Sequence, residues 1–171
     1  DHTLCDAIQK LVPILFVTPY RNKDVIPSYK IFYLLGYFNN KPNARKIFKA
    51  IEALINYVYY AIHLLLKHPN VVHIQWLPFL EYTAVEIWVL RLFRYVSPTT
   101  KFLLTQHNLY PHNYPEDKKD TYRRRFTQIS NMFDKIIVHT ESSKRLLIKN
   151  FNIAPQKIEV IYHGVFMPKI K

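Results

Sequence analysis

Apolar positions Leu4, Ala7, Ile8 and Leu11 recur at helical spacing, and Ile14 to Thr18 follows as a short apolar run stopped by Pro19. This predicts a helix over residues 1–11 and then a strand. Ile31 to Phe38 is rich in aromatic and branched residues and fits either a strand or a short helix, closed by Asn39, Asn40 and Pro42. From Ala44 to Lys67 the pattern places Ile47, Phe48, Ile51, Leu54, Ile55, Val58, Ile62 and Leu65 on one broad helical face. Pro69-Asn70 then breaks the chain before a buried strand at Val71 to Gln75.

The alternation continues with helices around 80–95, 119–132 and 142–150 and strands around 102–105, 135–138 and 157–161. Strands separated by helices predict an α/β fold, a Rossmann-like doubly wound parallel sheet. The strands are unbroken apolar runs, as expected when helices cover both faces. In such sheets ligands sit beyond the carboxyl ends of the strands, so the residues at each strand exit carry the functional information.

The 171 residues suit one domain by default, and 24 Lys and Arg against 12 Asp and Glu give a net charge of +12. That excess favours an anionic partner: phosphate, nucleic acid or anionic lipid. A single cysteine, Cys5, forms no internal disulfide, and no secretory leader pattern opens the chain, which points to a reducing cytoplasm. Glu52, Asn56 and His63 interrupt the longest apolar stretch, short of the roughly 18 apolar residues of a spanning helix, so membrane contact is expected to be peripheral. Two glycines, Gly36 and Gly164, exclude a Gly-rich phosphate loop.

The strand exits read Gln75-Trp76-Leu77-Pro78, Gln106-His107-Asn108, His139-Thr140-Glu141-Ser142-Ser143 and His163-Gly164. With the strands before them (Val71-Val72-His73-Ile74, Leu104-Thr105, Ile136-Ile137-Val138, and Ile158-Glu159-Val160-Ile161-Tyr162), they resemble in order and spacing the N-terminal domain of family 4 glycosyltransferases. The similarity covers roughly residues 70–166, with weaker agreement before.

The resemblance implies the acceptor-side, N-terminal half of a GT-B fold over residues 1–166, with 167–171 opening the interdomain linker and the donor-binding C-terminal domain absent from this stretch. It implies a retaining transferase that moves a sugar from a nucleotide-sugar to a glycan or polyprenyl-phosphate-linked acceptor, in polysaccharide biosynthesis, without metal or bound cofactor. This stretch alone is then expected to be inactive. His107 matches the family's cleft-facing histidine and is the expected catalytic residue, since an imidazole there can bond the sugar or manage the acceptor proton.

Gln75, Trp76, Asn108, Tyr110, Ser142, Ser143 and Lys144 are the expected acceptor-binding residues. Asn108 equally suits a local turn, and Thr140 suits a helix N-cap whose following amides favour anions. His73, between Val72 and Ile74, reads as a core histidine satisfied by hydrogen bonds, and His139 remains open between structure and site. The stretch 107–117, with Tyr110, His112, Asn113 and Tyr114, suits sugar or lipid-phosphate recognition or a solvated lid.

Arg45, Lys46 and Lys49 beside the first long helix, and Lys118, Lys119 and Arg123 to Arg125, are able to dock on anionic lipid. The plainer expectation for that helix is an apolar face packed on the sheet with its charges solvated. Two features depart from the family: no strand precedes residues 1–11, which predicts a gap beside the strand at Ile14, and donor-binding residues are missing. The competing readings are a non-enzymatic basic module for nucleic acid or anionic lipid, and a standalone acceptor-binding subunit. Nucleic acid is disfavoured because the basic residues are dispersed and match no known recognition motif.

Overall fold

A computed structural model describes Cys5 and residues 8–18, 30–38, 41, 43, 45–111 and 113–162. Two compact units make up the chain, residues 1–62 and 63–171. From residue 15 on, the expected strands and helices are present within a few residues of their predicted bounds, and the class is α/β with all-parallel strands among the described residues.

In the first unit Cys5, Ile8 and Gln9 are helical, and the turn closes through Val12 N donating to Ile8 O at 3.0 Å. The rest of the expected first helix lies largely outside the described residues. β1 (Leu15–Thr18) pairs in parallel with β2 (Lys30–Tyr33), Leu15 opposite Lys30 and Thr18 opposite Tyr33. The undecided segment after Lys30 is therefore a strand for its first four residues.

Within the first unit, α1 (Lys46–Lys67) turns its polar side toward the segment that follows β2. Asn56, 8% exposed, accepts a bond from Leu35 N and donates one to Leu35 O, both at 2.8 Å. Glu52, 6% exposed, accepts from Tyr37 N at 2.8 Å and Phe38 N at 3.1 Å. A backbone stretch leaving a strand needs partners for its N–H and C=O groups, and the polar side of α1 supplies them. The helix consequently turns Glu52 and Asn56 inward and leaves Ile47, Phe48, Ile51, Leu54, Ile55, Val58 and Ile62 exposed.

The second unit carries a four-stranded sheet in the order β3 (Val71–Ile74), β4 (Lys101–Thr105), β5 (Lys135–Val138) and β6 (Ile158–Val160). Val72 lies opposite Phe102, Leu104 opposite Ile136, and Ile136 opposite Ile158. α2 (Val85–Val96), α3 (Lys119–Ser130) and α4 (Glu141–Phe151) connect successive strands. Phe102, Phe126, Phe133, Phe151, Ile136 and Leu147 are fully buried and form the centre of the core.

α2 starts later than its hydrophobic pattern suggests. Phe79 N donates to the buried Glu86 carboxylate at 3.2 Å, and Val85 N to the Thr83 hydroxyl at 3.3 Å. These side chains hold residues 79–84 as turns before the helix begins.

The amino ends of β4 and β5 are clamped by Asp134. Its carboxylate accepts from Phe102 N at 2.9 Å and pairs with Arg94 at 2.8 Å and Lys101 at 3.2 Å. Partial burial pushes its acidity toward higher pH, but the Phe102 amide and the two cations outweigh this and hold the carboxyl below its ordinary value. The clamp fixes one end of the strands whose other ends carry the polar residues.

Candidate functional site

At the carboxyl ends of β3 and β4 a cavity of ≈ 190 Å³ opens, lined by Gln75, Trp76, His107, Asn108 and Tyr110 among others. Five expected site residues therefore share one pocket. Small-molecule sites are usually roughly 300–1,000 Å³, so this one suits part of a ligand rather than a whole nucleotide-sugar with its acceptor.

A hydrogen-bonded chain runs along its base. Thr105 Oγ1 lies 2.7 Å from His73 Nε2, and Gln75 Nε2 lies 3.1 Å from His73 Nε2 and 3.3 Å from its Nδ1. An amide nitrogen only donates, so one ring nitrogen of His73 must accept and the ring is neutral. Burial first, and then the charge of His107, lower its pKa, in agreement. By area, however, His73 is exposed and not the core residue expected. It sits next to the last position of a four-residue strand, where the alternation that buries Val72 turns its neighbour outward.

The other end of the amide completes the chain: Gln75 Oε1 lies 3.3 Å from His107 Nε2. A carbonyl only accepts, so His107 carries its proton at Nε2. The His107 ring packs between those of Trp76, at a centroid distance of 5.4 Å, and His139, at 5.2 Å. His139 is held by its Nδ1–H donating to Ile161 O at 2.9 Å, so it supports the ring of His107 from the neighbouring strand exit. Three strand-end histidines thus converge, and among the described residues no group of three or more His, Cys, Asp or Glu is placed to hold a metal ion.

Tyr110 forms the far wall. Its ring lies 5.6 Å from Tyr122 and 5.4 Å from Phe151, Arg123 Nη2 donates to its hydroxyl at 3.5 Å, and Lys119 sits 5.4 Å over its face. These contacts give Tyr110 a fixed place, and Tyr114, anchored by its hydroxyl to Glu81 O at 3.2 Å, braces the same stretch. Gln106 donates to Asn108 O, closing the turn after β4. Asn108 therefore takes part in the turn through its backbone while its residue lines the cavity.

Ser142, Ser143 and Lys144 do not line this cavity. They begin α4, where Thr140 Oγ1 accepts from Ser143 N at 3.0 Å, and its hydroxyl donates to Ser143 Oγ at 2.9 Å. The capping role of Thr140 is thus in place. His112 and His163-Gly164 lie outside the described residues.

Tyr122 and Glu81 also line the pocket. Neither stands at a strand exit, so strand-end reasoning passes over them. Burial pushes the Tyr122 phenol up to about 12, and a permanently neutral hydroxyl there serves as a hydrogen-bonding group rather than a proton acceptor. The only sequence signal for it is its i,i+4 relation to Phe126 on α3, which marks an inward face without distinguishing core from pocket.

A parallel α/β sheet with a polar, aromatic pocket at its strand ends is the arrangement of a Rossmann-like ligand-binding domain. Comparison with known families narrows it: the profile described as Glycosyltransferase Family 4 matches residues 4–166. The chain belongs to that family, and the match runs across both units. No curated protein matches the chain.

Proposed function

We propose that this chain is the acceptor-binding domain of a retaining glycosyltransferase that transfers a sugar from a nucleotide-sugar to a glycan or polyprenyl-phosphate-linked acceptor in polysaccharide biosynthesis. The observation that carries the reading is the Thr105–His73–Gln75–His107 chain, which spends the Nε2–H of His107 on Gln75 and so fixes the imidazole ring beside the exposed Trp76 ring. An indole face accommodates the apolar side of a sugar ring, while the polar edge of an imidazole beside it suits one of its hydroxyls.

In the reaction the bond from the anomeric carbon to the leaving phosphate oxygen breaks. The acceptor oxygen bonds to that carbon on the same face, and its proton passes to the departing phosphate oxygen, which leaves with the nucleoside diphosphate. His107 holds the transferred sugar, and Gln75, Trp76, Asn108 and Tyr110 hold the acceptor. Ser142, Ser143 and Lys144, at the start of α4, would contact an anionic part of a longer ligand.

The donor nucleotide is bound mainly by a second domain, a view supported by the small cavity and by only two glycines in the sequence. The enzyme works in the cytoplasm, at the inner face of the membrane, and this domain alone does not turn over. These assignments are tested with the full-length protein, a panel of UDP- and GDP-sugars and a lipid-extract acceptor. His107→Ala should lower transfer by roughly 10²-fold or more while leaving the fold intact. Unchanged transfer removes His107 from the mechanism, and salt-sensitive binding to oligonucleotides without any transfer would favour a basic binding module instead.

A further inference from the structure

Among the described residues that line the cavity, only Glu81 has a formally charged side chain, and it is acidic. In a chain with 24 Lys and Arg against 12 Asp and Glu, a pocket built for phosphate or carboxylate would have cations within easy reach. Lys119 and Arg123 both stand against Tyr110, yet neither lines the cavity. The charge of the pocket therefore runs against the charge of the whole chain.

Glu81 is held in place through its main chain. Its carbonyl accepts from the Tyr114 hydroxyl and from Arg125 Nη1, each at 3.2 Å, and Arg125 Nη1 also reaches Leu80 O at 3.4 Å. These bonds direct the guanidinium to backbone oxygens, and among the described residues no cation forms an ion pair with the Glu81 carboxylate. The neighbouring phenols register that charge. The carboxylate is the first cause that raises the Tyr82 phenol, followed by burial and by a hydrogen bond to Glu81. Tyr114 is raised by burial and then by Glu81, which outweighs the opposing Arg125. Burial pushes the cavity-lining Tyr122 up to about 12, and the charges of Glu86 and Glu81 act in the same direction. The field within the pocket is thus negative.

A carboxylate accepts hydrogen bonds through two oxygens, and each hydroxyl of a sugar is an O–H donor. A phosphate or a second carboxylate in the same place would meet a like charge, which costs binding. We infer that Glu81 sets the charge selectivity of the acceptor site: the cavity takes an uncharged saccharide ring whose hydroxyls donate to Glu81, and it rejects acidic sugars. Any phosphate of a longer acceptor then lies outside the cavity, as Ser142, Ser143 and Lys144 do. The assignment rests on the proposed reading of this cavity as the acceptor site.

The test uses the full-length protein with methyl glucoside and methyl galactoside against methyl glucuronide and methyl galacturonide. Each pair differs by a hydroxymethyl group against a carboxylate. Affinity is read by saturation-transfer NMR, and transfer by product formation with the nucleotide-sugar panel. Wild type should bind at least one neutral glycoside roughly tenfold more tightly than its acidic counterpart. Glu81→Gln should weaken the neutral glycoside roughly fivefold, since a charge-assisted bond becomes a neutral one, and should bring the two affinities of the pair together. Glu159→Gln removes an equal charge outside the cavity and should leave the wild-type preference unchanged. Should Glu81→Gln unfold, Glu81→Asp retracts the same charge by one methylene and should shrink the preference. Absence of binding by all four glycosides, equal or stronger binding of the acidic ones, or a preference that ignores the substitution at residue 81 overturns the inference. Failure of the proposed function reads differently: the neutral glycosides still bind selectively, but no donor yields product.

Discussion

Replacing Asp134 with alanine should destabilise the β3–β6 unit by about 3 kcal/mol. A hydrogen bond from a backbone N–H to a charged carboxylate contributes about 1.5–3 kcal/mol, and the one from Phe102 N is short and well formed. The ion pairs add less. The Arg94 and Lys101 side chains are 37% and 68% exposed, and such pairs contribute roughly 0.2–1 kcal/mol each. Asparagine keeps an acceptor for Phe102 N but loses both pairs, so Asp134→Asn should cost about half as much. In urea, with a slope of about 2 kcal/mol per M, the alanine midpoint falls by about 1.5 M and the asparagine midpoint by about half that.

The pH dependence follows from the depressed carboxyl. A group whose folded pKa lies below its unfolded value of about 3.9 contributes fully above that value and loses its contribution as pH falls through the folded one. The gap between wild type and Asp134→Ala should therefore be constant from pH 7 to 5 and close below pH 4. Urea melts followed by circular dichroism at pH 7, 5 and 3 supply the measurement. Equal midpoints for the alanine variant and wild type at pH 7, or an asparagine variant as damaged as alanine, would refute the clamp.

Two further outcomes concern the site. His73 is held below the usual imidazole value by burial and by His107, so stability is undiminished above pH ~6.5 and declines as pH drops through the folded value; His73→Gln should flatten that decline between pH 7 and 5 in urea melts, and an unchanged slope would show that His73 does not cause it. Thr140→Ala removes the acceptor for Ser143 N and should cost about 1 kcal/mol in the same melts, while a loss below a few tenths would mean that α4 is capped by other means.

Spacing in the sequence was enough to find the elements and the strand exits, which is why Gln75, Trp76, His107, Asn108 and Tyr110 could be named and meet in one cavity. Direction was harder. The repeat along α1 identifies an apolar face but not which way it points, and that is decided by Glu52 and Asn56 bonding a backbone segment 14 to 21 positions away. The apolar neighbours of His73 describe a strand's middle, whereas this strand ends one residue later and the ring is exposed. The place of Tyr122 in the pocket arises from how α3 packs, a relation that local spacing does not encode.

The Gln75 side chain has a consequence for the chemistry of the cleft. An amide is a one-way connector, with two donors on one tip and an acceptor on the other, so it cannot offer the same face to both histidines. With its nitrogen toward His73 and its oxygen toward His107, the sugar-facing imidazole is fixed as a donor toward Gln75. Rotating that amide by half a turn would reverse both assignments and require His107 to shed the proton it shows. The tautomer available to a ligand is thus set by a neutral residue that never titrates.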